Sequence, residues 1–325
     1  MTRVLSGIQP SGKLHLGNYA GAIRQFLDLQ AAGHELYVFV ASYHALTTVH
    51  DAAAMRDNCR QVVLDYLAYG LDPARTHLYL QHDVPEVTEL CWLLSAICPV
   101  PMMENAVSYK DKIAKGITPN MALMTYPVLQ TADILAVDAE IVPVGKDQVQ
   151  HLEIARDLAG KFNHEFKAEV FTVPKYRLAA DAAVVPGTDG EKMSKSYGNT
   201  IDPFAEEKSL RKTIMGITTD STPMEAAKDP ETCTVYQIYR AIAGAEDART
   251  AALAARYRAG GMGYGHAKQA LFELVMDHFG AARVRRMALE AQPEIVDRAL
   301  ASGAAAARAR AKATVARARA AVGLA

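Results

Sequence analysis

Two lysines stand three residues apart in the segment VVPGTDGEKMSKSYGN (184–199). Lys192 and Lys195 are surrounded by Gly, Ser and Asn, residue types that indicate a loop rather than a helix or a strand. A surface loop needs charge only for solubility, and any mixture of signs would serve that purpose. The two cations therefore fit either a solvated loop or an anion that the loop meets, and the loop alone does not decide between the two.

A second segment, GIQPSGKLHLGN (7–18), places polar side chains where a predicted strand turns into a helix. The N-terminus of a helix offers free backbone N–H groups and the positive end of the helix dipole, which favour an anion. His15 and Asn18 lie about one turn apart, so an imidazole and an amide can hold phosphate oxygens there. Gly17 lets a flat base or ribose approach the backbone. The segment is neither G-x-G-x-x-G nor a P-loop, and a plain turn is the alternative interpretation.

The first half of the chain alternates predicted strands and helices, which positions both segments. Strands are predicted at 3–7, 35–42, 76–81 and 140–145, and helices at 16–30, 51–70, 87–97, 121–137 and 146–162. This alternation predicts an α/β fold, a parallel sheet with helices on both faces, in which ligands bind at the carboxyl ends of the strands.

The second half is predicted to be almost entirely helical, beginning with a helix that starts at Asp202-Pro203. We therefore predict two domains, 1–200 with the sheet and both polar segments, and 201–325 built from helices.

Composition narrows the class of protein. Half of the 325 residues are apolar and the net charge is −1, which is typical of a globular protein without a global basic field. The N-terminus lacks the apolar run of a signal peptide and no apolar stretch approaches 18 residues, so we expect a cytoplasmic protein.

The cysteines are scattered without a C-x-x-C pair, so we expect neither zinc nor a disulfide framework; they are Cys59, Cys91, Cys98 and Cys233.

The last 25 residues are mostly alanine and carry basic but no acidic side chains. Alanine favours a helix. The basic residues fit either a nucleic-acid backbone or a solvated helix face; they are Arg308, Arg310, Lys312, Arg317 and Arg319.

Taken together, the two segments resemble the signatures of class I aminoacyl-tRNA synthetases. HLGN (15–18) is similar to the HIGH motif, and KMSKS (192–196) matches the second signature at every position. The resemblance is strongest to tryptophanyl-tRNA synthetases of the bacterial type, through GIQPSG (7–12), MTYPVLQTADIL (124–135) and VPVGKDQVQHLEIARDLAGKFN (142–163). It covers essentially the whole chain and implies a Rossmann-like doubly wound sheet followed by a helical anticodon-binding domain.

The sequence departs from the family pattern at two places. HLGN has Leu16 and Asn18 where the class pattern has Ile and His, although Asn18 keeps a hydrogen-bond donor. Lys146 stands in VGKDQ where many relatives have Glu. Some relatives hold an iron–sulfur cluster with four cysteines. In this chain Cys233 resembles the first of those cysteines, but the segment 260–269 contains no cysteine. We therefore expect no cluster.

The resemblance implies that tryptophan is activated by ATP and transferred to the 3′-terminal ribose of its tRNA. Lys192 and Lys195 would close over the triphosphate and stabilise the leaving pyrophosphate, with Lys112 as a third cation. Magnesium would enter with the ATP phosphates. The residues implied for ATP binding are Gln9, Pro10, Ser11, His15, Gly17, Asn18, Gly145, Lys146, Asp147, Val184, Lys192, Met193, Ser194, Lys195 and Ser196.

For the amino acid, the resemblance implies that Asp133 accepts a hydrogen bond from the indole N–H. A carboxylate in the apolar helix 121–137 needs such a donor, because burying it alone costs several kcal/mol. Tyr126 and Gln148 would hold the α-amino group and Gln9 would lie near the carboxylate and the nucleotide, while Gln130 and His44 line the pocket. Each of these last two equally fits a polar core residue with its hydrogen bonds satisfied.

The resemblance also implies a homodimer that binds tRNA across both subunits, with basic residues of 283–319 at phosphates. Three alternatives stay open: a tyrosyl-tRNA synthetase with the same fold and signatures, a non-catalytic paralogue that binds nucleotide or RNA, and another adenylyl or cytidylyl transferase, such as a pantothenate synthetase. GIQPSG and LQTADIL disfavour the first, the intact KMSKS and Asp133 the second, and the helical C-terminal region the third.

Overall fold

The computed structural model describes residues 2–114, 116, 118–145, 148–178 and 185–325, apart from the side chains of Ser108, Asp111 and Lys112. The expectations for Lys146, Asp147, Val184 and the Lys112 side chain therefore lie outside the described part of the chain. None of the helices formed by the described residues is long and apolar enough to cross a membrane.

The described strands form one parallel sheet. In chain order they are β1 (Arg3–Ile8), β2 (Glu35–Val40), β3 (Thr76–Leu80), β4 (Ile141–Val144) and β5 (Lys175–Leu178). Their order in space is β3-β2-β1-β4-β5. The chain runs outward from β1 to β3 on one side and then returns to place β4 on the other side of β1. The strand order therefore reverses between β1 and β4, where α/β sheets bind ligands.

Helices connect these strands and build the second half of the chain. They are α1 (Leu16–Asn18), α2 (Arg24–Ala31), α3 (Ser42–Ala45), α4 (Ala52–Tyr69), α5 (Glu86–Ser95), α6 (Val100–Glu104), α7 (Val107–Ala114), α8 (Met121–Ala136), α9 (Val149–Glu165), α10 (Glu207–Met215), α11 (Thr234–Ala243), α12 (Ala248–Ala259), α13 (Tyr264–Glu290) and α14 (Pro293–Val322). A π-helical turn, Tyr19–Ile23, joins α1 to α2.

The local sequence signals explain most of these boundaries. The Asp51 side chain accepts the Ala54 N–H at the start of α4, and Gly70 ends α4 with φ 112°, a left-handed conformation that glycine adopts at little cost. The α/β fold predicted from the alternation is confirmed.

Two predictions of secondary structure need correction. The helix expected at Asp202-Pro203 begins only at Glu207, because the Asp202 carboxylate accepts the Phe204 N–H and closes a turn. The edge strand β5 was not predicted, because its sequence, KYRL, is exposed throughout and shows no apolar alternation.

Alternate residues of the central strands enter two apolar cores, one on each face of the sheet. Val38 on β2 joins a core with α4, α11 and α13, whereas Phe39 joins a core with α5, α8 and α9. Helices α10 to α13 thus pack on one face of the sheet, whereas most buried residues of α14 join the core on the other face.

The last helix, α14, covers β3, a strand at the edge of the sheet. Gly303 of α14 lies so close to the β3 backbone that a Cβ there would be 1.9 Å from the Leu78 carbonyl oxygen. Ala304, Ala307 and Ala311 are buried beside it. The alanine-rich tail is therefore a closely packed helix that shields an otherwise open strand edge.

Candidate active site

The turn after β1 carries the first signature. His15 is extended and directly precedes α1, and its backbone N–H donates to Asn18 Oδ1 at 3.1 Å. The imidazole is buried, and its Nδ1 has no hydrogen-bond partner among the described residues. Burial lowers the pKa of His15 to about 4, and the charge of Lys195 adds to this effect. His15 is therefore neutral at pH 7 and can offer one N–H donor.

The KMSKS segment lies directly against this turn. Lys195 Nζ donates to the Gly12 carbonyl at 2.8 Å and lies 3.4 Å from Ser11 Oγ. The Gly17 N–H donates to the sulfur of buried Met193 at 3.4 Å. The two signatures, about 175 residues apart in the chain, therefore meet at one place.

Glycine fits closely at position 17, because a Cβ there would lie 3.0 Å from the His15 ring, a tight contact, and 3.5 Å from Met193. Burial lowers the pKa of Lys195 to about 8, although Asp65 opposes the shift. In contrast, Lys192 is exposed. The two predicted cations thus have different surroundings, one docked on the turn and one facing outward.

Asn199 organises the KMSKS loop and was not predicted to have a role. Its Oδ1 accepts the Ser194 N–H at 2.8 Å, and its Nδ2 donates to Asp189 and to the Lys192 carbonyl. Gly187 passes so close that a Cβ would lie 2.2 Å from the Asn199 amide. The Ser194 and Ser196 hydroxyls lie 2.8 Å apart. The loop is therefore held by an internal amide together with the buried side chain of Met193.

A cavity of about 480 Å³ lies at the carboxyl ends of β1 and β4, within the usual size range for small-molecule sites. All six residues predicted for tryptophan binding line it: Gln9, His44, Tyr126, Gln130, Asp133 and Gln148. Asn18 and Gly145 of the predicted nucleotide site line the same cavity, while Pro10 and Ser11 lie in the adjoining turn. One cavity thus brings together residues from both predicted sites.

Asp133 lies on α8 with 2% of its surface exposed. Gln81 Nε2 donates to both carboxylate oxygens at 2.9 Å, and His44 Nε2 lies 2.9 Å from Oδ2. Burial raises the pKa of Asp133, whereas the contacts with His44 and Gln81 lower it. The carboxylate is therefore held by two side chains, and Oδ1, with a single donor, has room for another.

A second set of contacts fixes the polar end of the cavity. The Tyr126 hydroxyl lies 2.7 Å from His151 Nε2, and His151 Nδ1 lies 2.9 Å from Gln148 Oε1. His151 thus connects the two residues predicted to hold an α-amino group. His151 was not predicted from the sequence, although it stands three residues after Gln148, a spacing that places both on one helix face.

Basic residues of the C-terminal region are largely paired within the chain. Four arginines of α14 contact carboxylates: Arg308 with Glu86, Arg310 with Glu35, Arg317 with Asp138 and Arg319 with Glu89. Arg286 of α13 pairs with the buried Asp65. Lys312 is exposed. These ion pairs explain much of the basic tail as attachment to the sheet domain.

The strand order of the parallel sheet reverses at β1, and both signatures meet beside that point. The family model for tRNA synthetases class I (W and Y) matches residues 1–280. The chain belongs to this family.

Two relatives are close over nearly their whole length. The tryptophan–tRNA ligase of Rhodopirellula baltica is 52% identical over 302 residues, which is 93% of each chain. A crystal structure of the tryptophanyl-tRNA synthetase of Campylobacter jejuni, complexed with ADP and tryptophan, matches with a TM-score of 0.91 and 46% identity. That match covers 99% of this chain and all of the other.

The tyrosyl-tRNA synthetase of Archaeoglobus fulgidus also shares the fold. It matches with a TM-score of 0.66 at 20% identity, over 88% of this chain and 90% of that chain. At this identity the match concerns the fold alone.

Proposed function

We propose that the chain activates L-tryptophan with ATP and transfers it to the 3′-terminal ribose of tRNA(Trp). It is an enzyme, a tryptophan–tRNA ligase. The observation that carries this conclusion is the similarity, over 99% of the chain, to the Campylobacter jejuni enzyme complexed with ADP and tryptophan. The cavity beside the two signatures supplies the matching site.

In the first step, a carboxylate oxygen of tryptophan attacks the α-phosphorus of ATP and pyrophosphate leaves with its Mg²⁺. Such a phosphoryl transfer asks the protein for positioning and for cations near the spreading charge. Lys195 is already beside the signature turn, and we assign Lys192 and Lys112 to the same phosphates. In the second step, a ribose hydroxyl of the tRNA attacks the adenylate carbonyl and AMP leaves.

We assign the nucleotide to the turn and to the KMSKS loop. Its phosphates would meet the neutral imidazole of His15 and the Asn18 amide, and its ribose or base would lie over Gly17. The orphaned, buried Nδ1 of His15 supports this assignment, because a buried polar atom without a partner is costly unless a ligand pairs with it. The assignment extends to the rest of the predicted set: Gln9, Pro10, Ser11, Gly145, Lys146, Asp147, Val184, Met193, Ser194 and Ser196.

We assign tryptophan to the cavity with its indole N–H at Asp133 and its α-amino group at Tyr126 and Gln148. The free acceptor capacity at Asp133 Oδ1 supports the first contact. The second is supported by the Tyr126–His151–Gln148 contacts, which hold both polar groups at the same cavity. A single buried acceptor favours a ring N–H over a plain hydrocarbon ring.

We further propose a cytoplasmic homodimer that binds tRNA with the helical region 201–325. Exposed apolar side chains on α5 to α8 support the dimer, among them Trp92 and Met121, which are 75% and 70% exposed. Large exposed apolar side chains that lie together commonly mark a protein interface, and we propose that these do. The residues beyond the sheet, α10 to α13, are the proposed anticodon-binding helices.

Charging of tRNA tests this function as a whole. The purified chain is incubated with ATP, Mg²⁺, unfractionated bacterial tRNA and either labelled tryptophan or labelled tyrosine. The proposal predicts label in tRNA with tryptophan only, and ribonuclease digestion should release tryptophanyl-adenosine. Transfer of tyrosine, or no transfer with either amino acid, would refute it.

A further inference from the structure

Gln81 is a fully buried side chain that the reaction described above does not use. It directly follows β3 and opens a 3₁₀ turn, Gln81–Asp83, with 0% of its surface exposed. It does not line the cavity, so it does not meet the amino acid. Its polar atoms instead contact α3 and α8, two helices that carry cavity-lining residues.

The two ends of the Gln81 amide have different partners. Nε2 donates to both Asp133 oxygens at 2.9 Å, and Oε1 accepts the Tyr43 N–H of α3 at 2.8 Å. The second contact anchors α3, and α3 carries His44, which itself contacts Asp133. One side chain therefore holds the buried carboxylate directly and also places its second partner.

A buried carboxylate can discriminate between ring systems only if its free acceptor position is fixed and its charge is kept. Hydrogen bonds to a charged group are stronger than those between neutral groups. Gln81 contacts both oxygens at once, which sets the rotation of the carboxylate about its Cβ–Cγ bond. The less occupied oxygen, Oδ1, is thereby left to the cavity.

We propose that Gln81 is a positioning residue that sets selection for a ring N–H by orienting Asp133. The inference rests on the proposed tryptophan activation and adds to it the residue that makes Asp133 selective. Gln81 acts through Asp133 and indirectly through His44, without touching the substrate.

The test compares tryptophan with β-(3-benzothienyl)alanine, in which sulfur replaces the ring N–H while shape is nearly kept. Both are assayed by amino-acid-dependent exchange of pyrophosphate into ATP. In the wild type, kcat/KM should favour tryptophan strongly. In Gln81→Met, which keeps length and removes the amide, we expect that preference to fall about tenfold or more. The loss should appear in the KM for tryptophan, with the KM for ATP little changed.

A matched control is Gln30→Met. Gln30 is also a buried glutamine whose amide holds backbone groups, Gly70 and Asp72, but it lies at the other end of β3 beside Thr76. It should lower the melting temperature and leave the preference for tryptophan at the wild-type value. Gln81→Glu is the second test variant, because it keeps the acceptor for the Tyr43 N–H and places a second carboxyl group against Asp133, and two such groups in contact cannot both keep their charge. It should lose the preference as Gln81→Met does.

Other outcomes are distinguishable. An unchanged ratio of kcat/KM in a folded Gln81→Met or Gln81→Glu would overturn the inference, and so would failure of both variants to fold, since Gln81 would then be a core residue only. An absence of tryptophan-dependent exchange in the wild type would instead refute the proposed function.

Discussion

At the scale of single residues, two ionisable groups of the signatures, His15 and Lys195, have different proposed roles, one as a neutral donor and one as a cation. Burial lowers the pKa of His15 to about 4 and that of Lys195 to about 8. His15 is thus a neutral donor between about pH 6 and 9, whereas Lys195 begins to lose its charge in that range. The pH dependence of ATP use should therefore follow Lys195.

We expect kcat/KM for ATP, measured at saturating tryptophan, to fall as the pH rises through about 8. The sign follows from the charge, because the cationic form that pairs with phosphate is lost above the pKa. The fall should approach about tenfold per pH unit beyond that point. Lys195→Arg keeps a cation at every pH tested and should abolish the alkaline decline, whatever its absolute rate. A decline that persists in Lys195→Arg would assign it to another group.

The residues that sequence predicts and those that it misses differ in a physical way. Asp133 and the KMSKS lysines stand out locally, because a carboxylate in an apolar helix and two cations among turn residues need explanations. Gln81 and Asn199 give no such signal. Their partners are fixed by folding, and Gln81 lies 52 residues from Asp133 in the chain. Their roles become visible only with the distances.

At the scale of elements, apolar alternation and capping residues predict the central strands and the helices between them, because those patterns reflect burial. They do not predict β5, an exposed edge strand, or the placement of α14. The alanine-rich composition of α14 predicts a helix but not what it covers. The close approach at Gly303 explains the composition, since only small side chains let the helix axis lie near the β3 backbone.

We expect Gly303→Ala to lower the melting temperature by roughly 2–8 °C, because the added Cβ would meet the Leu78 carbonyl and such overpacking costs about 1–3 kcal/mol. Gly280→Ala is the matched control: a Cβ at this position of α13 meets nothing within 4 Å, and alanine stabilises a helix interior. Thermal unfolding followed by circular dichroism measures both. Equal melting temperatures for the two variants would contradict the close packing of α14 on β3.

At the scale of the whole molecule, the helical half and the sheet domain are joined at several places. Ion pairs connect α14 to α5, and the Arg286–Asp65 pair connects α13 to α4. Several exposed apolar side chains lie elsewhere, on α5 to α8. Exposed apolar side chains are stabilised when an interface removes them from water, so these residues support the proposed dimer.

We expect the wild type to sediment with twice the mass of one chain and Trp92→Arg to sediment as a monomer, because an unpaired charge at a buried interface is costly. Met287→Arg is the control, since Met287 is 71% exposed on α13, away from this surface. Trp92 is the single tryptophan, so dilution to monomer should also shift its fluorescence to the red. A monomeric wild type, or dissociation by Met287→Arg alone, would contradict the proposed interface.

The central claim is that this site activates tryptophan with ATP. Exchange of labelled pyrophosphate into ATP, run with each of the twenty amino acids and with Lys195→Ala alongside, tests it most directly. We expect exchange with tryptophan alone and its loss in Lys195→Ala. Exchange with tyrosine would keep the fold and contradict the assignment of Asp133, and no exchange with any amino acid would contradict the proposed activity itself.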